Sequence, residues 1–246
     1  MTQKEWLACD DLWPLLEHLQ KKGNRKCPTA TERKLRLFAC ACCRRIWHYM
    51  LDERSRTAVE VAERCADGGV SQEELRVAAA RAFEAARAER ASDIDGLPEC
   101  AAHDAIGYYD SNGAITTLTP SFFPLNAADN AALALASRAN RANPERWDPC
   151  VWPTEANDER AAQVVLFRDL FGNPFRRATL DPSWLTTKVK MLAQSTYDDH
   201  AFHRMPMLAD ALEEAGCNNA DILDHCRKPA EHVRGCWVVD LLLGKE

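Results

Sequence analysis

Long apolar runs are missing from this chain. No stretch reaches the roughly 18 to 20 consecutive apolar residues a membrane-crossing helix needs, and the uncharged patch near the C-terminus, residues 235–239, is far shorter. Glycine is scarce, with 10 in 246 residues, which leaves little for a loop that cradles phosphate with bare backbone. No Gly-rich phosphate loop, Gly-x-Ser-x-Gly elbow or His-Glu-x-x-His helix occurs, so the motif-bearing forms of nucleotide hydrolysis, acyl transfer and zinc proteolysis are set aside. The opening Met1-Thr2-Gln3-Lys4-Glu5-Trp6 lacks the basic-then-apolar layout of a secretory leader, and a cytoplasmic location is the expectation. Basic charge is not in excess either. A net charge of −6 offers no overall electrostatic reason to expect nucleic acid as a partner.

What is present is an ordinary globular composition, 46% hydrophobic and 28% charged, with 11 cysteines. An odd number of thiols cannot all pair within one chain. In a reducing compartment they read as small core residues, metal ligands or reactive groups rather than disulfides.

Helical periodicity dominates. Thr2 with Glu5, and Ser71 with Glu74, have capping-box spacing. Asp11 precedes Leu12, Leu15, Leu16 and Leu19, one apolar face. From Thr31, Leu35, Phe38, Cys42, Ile46 and Tyr49 define a core stripe, with Arg33 and Lys34 expected at the surface. Further helices are predicted over 52–66, 71–91, 99–109, 126–140, 155–171, 183–197, 206–215, 219–227 and 232–243, the last apolar almost all round. Residues 114–119 read as a small strand or extended loop, and 143–153, with three prolines around Trp147 and Trp152, as a connection. The fold class is therefore all-α: about ten helices in a compact orthogonal bundle with a loop-rich or small-strand middle. Three parts are expected: a Cys-rich helical part (1–92), a variable middle (93–153) and a C-terminal helical part (154–246) that packs on the first.

Several stretches share wording with a known group of sequences: Glu5-Trp6-Leu7-Ala8-Cys9-Asp10-Asp11, the run 33–47 around Cys40-Ala41-Cys42-Cys43, Phe171-Gly172-Asn173-Pro174-Phe175, Ala215-Gly216-Cys217 and His232-Val233-Arg234-Gly235-Cys236-Trp237. Over roughly half its length the chain resembles a large paralogous family of planctomycete proteins. The resemblance implies a bipartite protein with a variable middle, and it supplies no activity.

Three constellations can carry chemistry. Cys40 and Cys43 share a helix face, and Cys100 and His103 repeat that spacing on a second helix; together they would make a tetrahedral set of the kind zinc takes. A second set is Cys226, His232 and Cys236, with His225 and Cys217 near, His232 and Cys236 being four apart on the predicted last helix. The competing explanation for both is packing, since cysteine is among the most buried residue types. Asp199, His200 and His203 form a third, more solvated cluster. Arg227 and His232 have the Arg-x4-His spacing of helical HEPN ribonucleases, in which the arginine stabilises phosphate charge and the histidine acts as acid or base; so short a motif also arises by chance. Asp240, beside Trp237 on the helix expected to be buried, needs a cationic partner. Arg44, Arg45, Arg234 and Lys245 are candidates, and the first two would join the two ends of the chain. The reading is an interaction or regulatory module with a protein partner anchored on Trp147 and Trp152. The alternatives are a metal-binding protein, zinc being the suited cofactor, and a HEPN-like ribonuclease.

Overall fold

The computed structural model describes residues 1–20, 31–91, 97–106, 122–142, 154–176 and 178–245, and all regular structure among them is helical. The chain opens with α1 (Gln3–Ala8) and α2 (Leu12–Gln20). Thr2 and Glu5 form the expected capping box, the Thr2 hydroxyl accepting from the Glu5 N–H at 3.3 Å and the Glu5 carboxylate from the Thr2 N–H at 2.7 Å. Next come α3 (Glu32–Arg45), capped by the Thr31 side chain, α4 (Glu53–Ala66), capped by Asp52, and α5 (Gln72–Ala91), with the Ser71 hydroxyl 3.1 Å from the Glu74 N–H. They are followed by α6 (Leu97–Ile106), α7 (Phe122–Ala142) and α8 (Thr154–Phe171), then α9 (Thr187–Asp198), α10 (Met205–Glu214), α11 (Ala220–Arg227) and α12 (Trp237–Leu243). Twelve helices among the described residues thus bear out the all-α reading, and no described helix is long and apolar enough to cross a membrane. Residues 114–119, Trp147 and Trp152 lie outside the described residues.

Two hydrophobic cores follow one another along the chain. The first is built by α1 to α8 around α3, which packs against α4, α6, α7 and α8. Leu35, Phe38, Cys42 and Ile46 are buried as the stripe requires, but Leu37, Ala39, Cys40, Ala41 and Cys43 are buried too, so α3 is enclosed on nearly every side. Ala127, Ala128 and Ala131 of α7 are fully buried; such small side chains let helices approach closely. The second core is formed by α9 to α12 around Val189, Tyr197, Leu208, Ile222 and Val239.

The predicted helix over 232–243 is shorter than its apolar pattern. It begins at Trp237 because Gly235 sits at φ +91°, a left-handed conformation that ends any helical run. The expected 183–197 helix is likewise a 3₁₀ turn, Pro182–Trp184, followed by α9 capped from Thr186.

Ions join the cores. Asp240 has cationic partners, but they are Arg33, at 2.7 Å, and Lys34, at 2.8 Å, rather than the four expected. Lys34, expected outside, is 6% exposed. Its Nζ also donates to the carbonyls of Leu170, at 2.8 Å, and Gly235, at 2.9 Å. Arg33 reaches on to Asp67 and the Tyr197 hydroxyl, and Asp67 accepts from Tyr197 and Arg234 while pairing with Lys245. Arg44 pairs instead with Glu63, and Arg45 with Glu159 and Glu231. Asp240 is thus held from the N-terminal end of α3, the opposite end of that helix from Arg44 and Arg45.

Removing one member of a buried pair strands the other charge. Asp240→Ala is therefore expected to cost about 3 to 5 kcal/mol of unfolding free energy in urea titrations. Burial works to raise the Asp67 carboxyl, but the bonds from Tyr197 and Arg234 and the charges of Arg234 and Lys245 hold it below the usual carboxylate range. Its folded pKa lies below its unfolded value near about 4, so its stabilisation is full above that value and is lost as pH falls towards the folded one. Denaturation series from neutral to acid pH should show that loss, and Asp67→Asn should flatten part of it.

Candidate metal centre

One group of three or more potential ligands stands out among the described residues: Asp169, His225, His232 and Cys236, whose ligand atoms all lie within 4.8 Å of one another. They come from separate places in the fold. Asp169 is in the last turn of α8 and buried. His225 is in the last turn of α11, which starts at an Asn219 cap. His232 lies in the irregular connection after α11, and Cys236 caps α12. The left-handed Gly235 turns the chain so that Cys236 comes back towards His225. His232 and Cys236 therefore meet through a loop, and the four-residue helical spacing read from the sequence is not what brings them together.

The hydrogen-bond geometry is tight. His232 Nδ1 is 2.6 Å and His225 Nε2 3.1 Å from Asp169 Oδ1, and the Val233 N–H donates to Asp169 Oδ2 at 3.0 Å. His225 Nε2 is also 3.2 Å from Cys236 Sγ, and the indole N–H of Trp237 donates to His225 Nδ1 at 3.1 Å. An indole nitrogen can only donate, so Nδ1 of His225 is bare and its neutral ring carries the proton on Nε2, towards Asp169 and Cys236. Burial works to raise the Asp169 carboxyl, yet the bonds from the two histidines hold it below its ordinary value. Burial, with the Asp169 charge behind it, pushes the Cys236 thiol well up. Without a metal the cluster is a buried carboxylate solvated by protein donors beside an un-ionised thiol.

The same donors suit a metal. One carboxylate, two imidazoles and one thiol match the ligand types of zinc, whose bonds of about 2.0 to 2.3 Å put neighbouring donors roughly 3.2 to 3.8 Å apart. The contacts at 3.1 and 3.2 Å are near that spacing, the 2.6 Å contact has to open by about half an ångström, and the widest separation, 4.8 Å, has to close by about 1 Å. A metal on His225 Nε2 would move that ring's proton to Nδ1, against the Trp237 N–H. The indole must then turn away, and a cavity of about 630 Å³ lined by Trp237, His225, Trp6 and Leu241 adjoins it.

The other sequence candidates fall elsewhere. Cys40, Cys43, Cys100 and His103 form no such group. Cys40 Sγ faces the Val59 carbonyl at 3.8 Å, Cys43 and Cys100 are buried, and the His103 ring lies 5.4 Å from that of Phe83. Burial pushes the Cys40 and Cys43 thiols well up, as for inert core cysteines. Cys226 points into the second core, where burial pushes its thiol up to about 12; adjacent helix residues face about 100° apart, so His225 is the one that faces Asp169. Arg227 is bound at the surface to Asp210 and Glu213, while the His232 ring is buried against Asp169, so the two share no partner. Asp199 pairs with Arg204, and His203 is exposed. Asp169 was missed. The signal for it was a lone acid amid Leu166, Phe167, Leu170 and Phe171, the same argument that singled out Asp240.

No family model, curated protein or solved structure matches this chain.

A Cβ at residue 235 would lie 2.8 Å from Leu37 Cδ1 on a left-handed backbone. Gly235→Ala is expected to destabilise the protein by about 1 to 2 kcal/mol from the backbone conformation, with the contact adding to it. Chemical denaturation of the variant measures this, and an unchanged midpoint would contradict the turn's role.

Proposed function

We propose that the protein is a metal-binding helical protein whose ion, zinc by its donor set, ties the end of α8 to α11 and to the loop leading into α12. The single observation that carries this reading is the convergence of four ligand residues of three types, from α8, α11 and the loop into α12, with ligand atoms within 4.8 Å of one another. Four protein donors fill a tetrahedral shell, which is the pattern of a structural site and leaves no open position for substrate. Loading exchanges a proton for metal: the Cys236 thiol proton leaves as the ion enters, while the His225 proton moves from Nε2 to Nδ1. The Trp237 indole holds the proton-bearing state and so opposes loading.

Elemental analysis of protein purified under reducing conditions should find about one zinc per chain. Cobalt exchanged into the site should show thiolate charge-transfer bands that vanish in Cys236→Ala, and a chelator should lower Tm. Affinity should fall as pH is lowered, and Trp237→Phe should bind metal more tightly than the parent protein. Metal-free protein without cobalt bands, and with a Tm indifferent to chelator, would sink the proposal.

A further inference from the structure

The cavity of about 630 Å³ beside Trp237 lies between the two cores. Residues of α1 and the end of α8 line it from the first core, and residues of α11 and α12 line it from the second. Junctions between packed units are frequent places for small-molecule sites, and the volume is within their range.

Most charges on these walls are answered within the protein. Lys34 is held by Asp240 at 2.8 Å, Arg176 faces Asp221 at 3.3 Å, and Lys245 faces Asp67, which stands behind the wall, at 3.5 Å. Lys228 and Asp224 are exposed one turn apart at the end of α11, so their charges cancel in sum. Arg168 is the exception. Its guanidinium is half-buried, no carboxylate among the described residues pairs with it, and Asp10 acts on it only from a distance. Burial holds its pKa below the ordinary arginine value.

The three nitrogens of that group differ. Nη2 has two hydrogens, and it donates to the carbonyls of Trp6, at 2.7 Å, and Cys9. Nε is enclosed. Nη1 carries two further N–H groups, has no acceptor in the protein and, unlike Nε, is not enclosed. The two carbonyls thus fix the plane of the guanidinium without answering its charge. A cation drawn out of water in this way favours an anion that accepts its remaining N–H groups.

The walls limit what that anion is. One unanswered charge calls for one negative charge, and Asp221, Asp224 and Asp240 on the same walls disfavour a second. Leu7, Trp237 and Leu241 line the cavity and none of them is fully buried, so apolar surface is open to a hydrocarbon body. We infer that the cavity between the two cores binds a small organic monocarboxylate, its head on Arg168 Nη1 and its apolar body against Leu7, Trp237 and Leu241. The inference does not rest on the metal reading.

Calorimetric titration of the full chain, at fixed pH, ionic strength and metal content, tests it with octanoate, acetate and octanol. Octanoate should bind saturably, and acetate, the head alone, and octanol, the body without charge, should each bind about tenfold more weakly or worse. In ¹⁵N-labelled protein octanoate should move the Trp237 indole N–H signal, assigned through Trp237→Phe, along the same binding curve. Arg168→Gln keeps an N–H donor near the two carbonyls and removes the charge; it should weaken octanoate about tenfold or more and leave octanol unchanged. Thr179→Trp, at an exposed position of the lining, takes up space in the cavity. It should also weaken octanoate, and it serves if the first variant fails to fold. Absence of saturable octanoate binding overturns the inference. Octanol binding as tightly as octanoate overturns the anionic head, acetate binding as tightly overturns the apolar body, and octanoate affinity unchanged in both variants overturns the placement.

Discussion

The ammonium group of Lys34 is the point on which the two cores turn. It is withdrawn from water in α3, and it is satisfied only by groups from elsewhere: the carbonyl at the end of α8, the carbonyl of Gly235 and the carboxylate of Asp240. A buried cation is tolerable when its donors are met and a counter-charge is near, and costly otherwise. The three acceptors sit on the segments that carry the ligand cluster. Leu170 follows Asp169, Gly235 precedes Cys236, and Asp240 is one turn further along α12. Solvating one lysine therefore sets the distance between the helix that holds the carboxylate and the loop that holds the imidazole and the thiol.

Local chemistry of the chain was legible where it depends on near neighbours. Thr2 and Ser71 cap the helices their spacing announced, Thr31 and Asp52 stand where helices were expected to begin, and the stripe of Leu35, Phe38, Cys42 and Ile46 is buried. Reading stopped where two distant faces meet. Spacing shows that Cys40 and Cys43 share a side of α3, yet it cannot show that α4 and not a metal waits there. The need of Asp240 for a cation followed from its surroundings, but its partners did not, because basic residues at the start of a helix look like a solvated end until the other half of the molecule is docked on them. Periodicity misled at the last helix. An apolar run continues through Gly235 in sequence, while the backbone leaves the helical region there to thread between Leu37 and Leu170. His232 and Cys236 were named from a spacing that does not exist in the fold, and they meet because that turn folds them back.

Asp169 shows how one buried carboxylate can serve two states. Three donors, from two imidazoles and the Val233 amide, solvate it in the proton-bearing arrangement, and the same oxygens and nitrogens present themselves to a cation. The choice between the states is set by tautomers. The Trp237 N–H fixes the proton of His225, and Gly172 lets the backbone lie against that indole, since a Cβ there would come 3.1 Å from its ring. Indole, imidazole, carboxylate and thiol form one linked chain of hydrogen bonds, in which a change at either end is felt at the other.

The separation of Lys34 from its acceptor has a further meaning in time. Gly235 lies 201 residues after Lys34, and Asp240 lies 207 after Arg33. A ribosome that has delivered α1 to α8 has delivered all the buried residues of the first core, and domains tend to fold as they emerge. At that stage Arg33 has Asp67 and Lys34 has the Leu170 carbonyl, and neither has Asp240. Only when α12 has been released can the remaining positive charge be neutralised and closed. The chain thus carries its own record of completeness: a molecule cut short before Asp240 can build its larger half and will still advertise, in exposed positive charge, that it is unfinished.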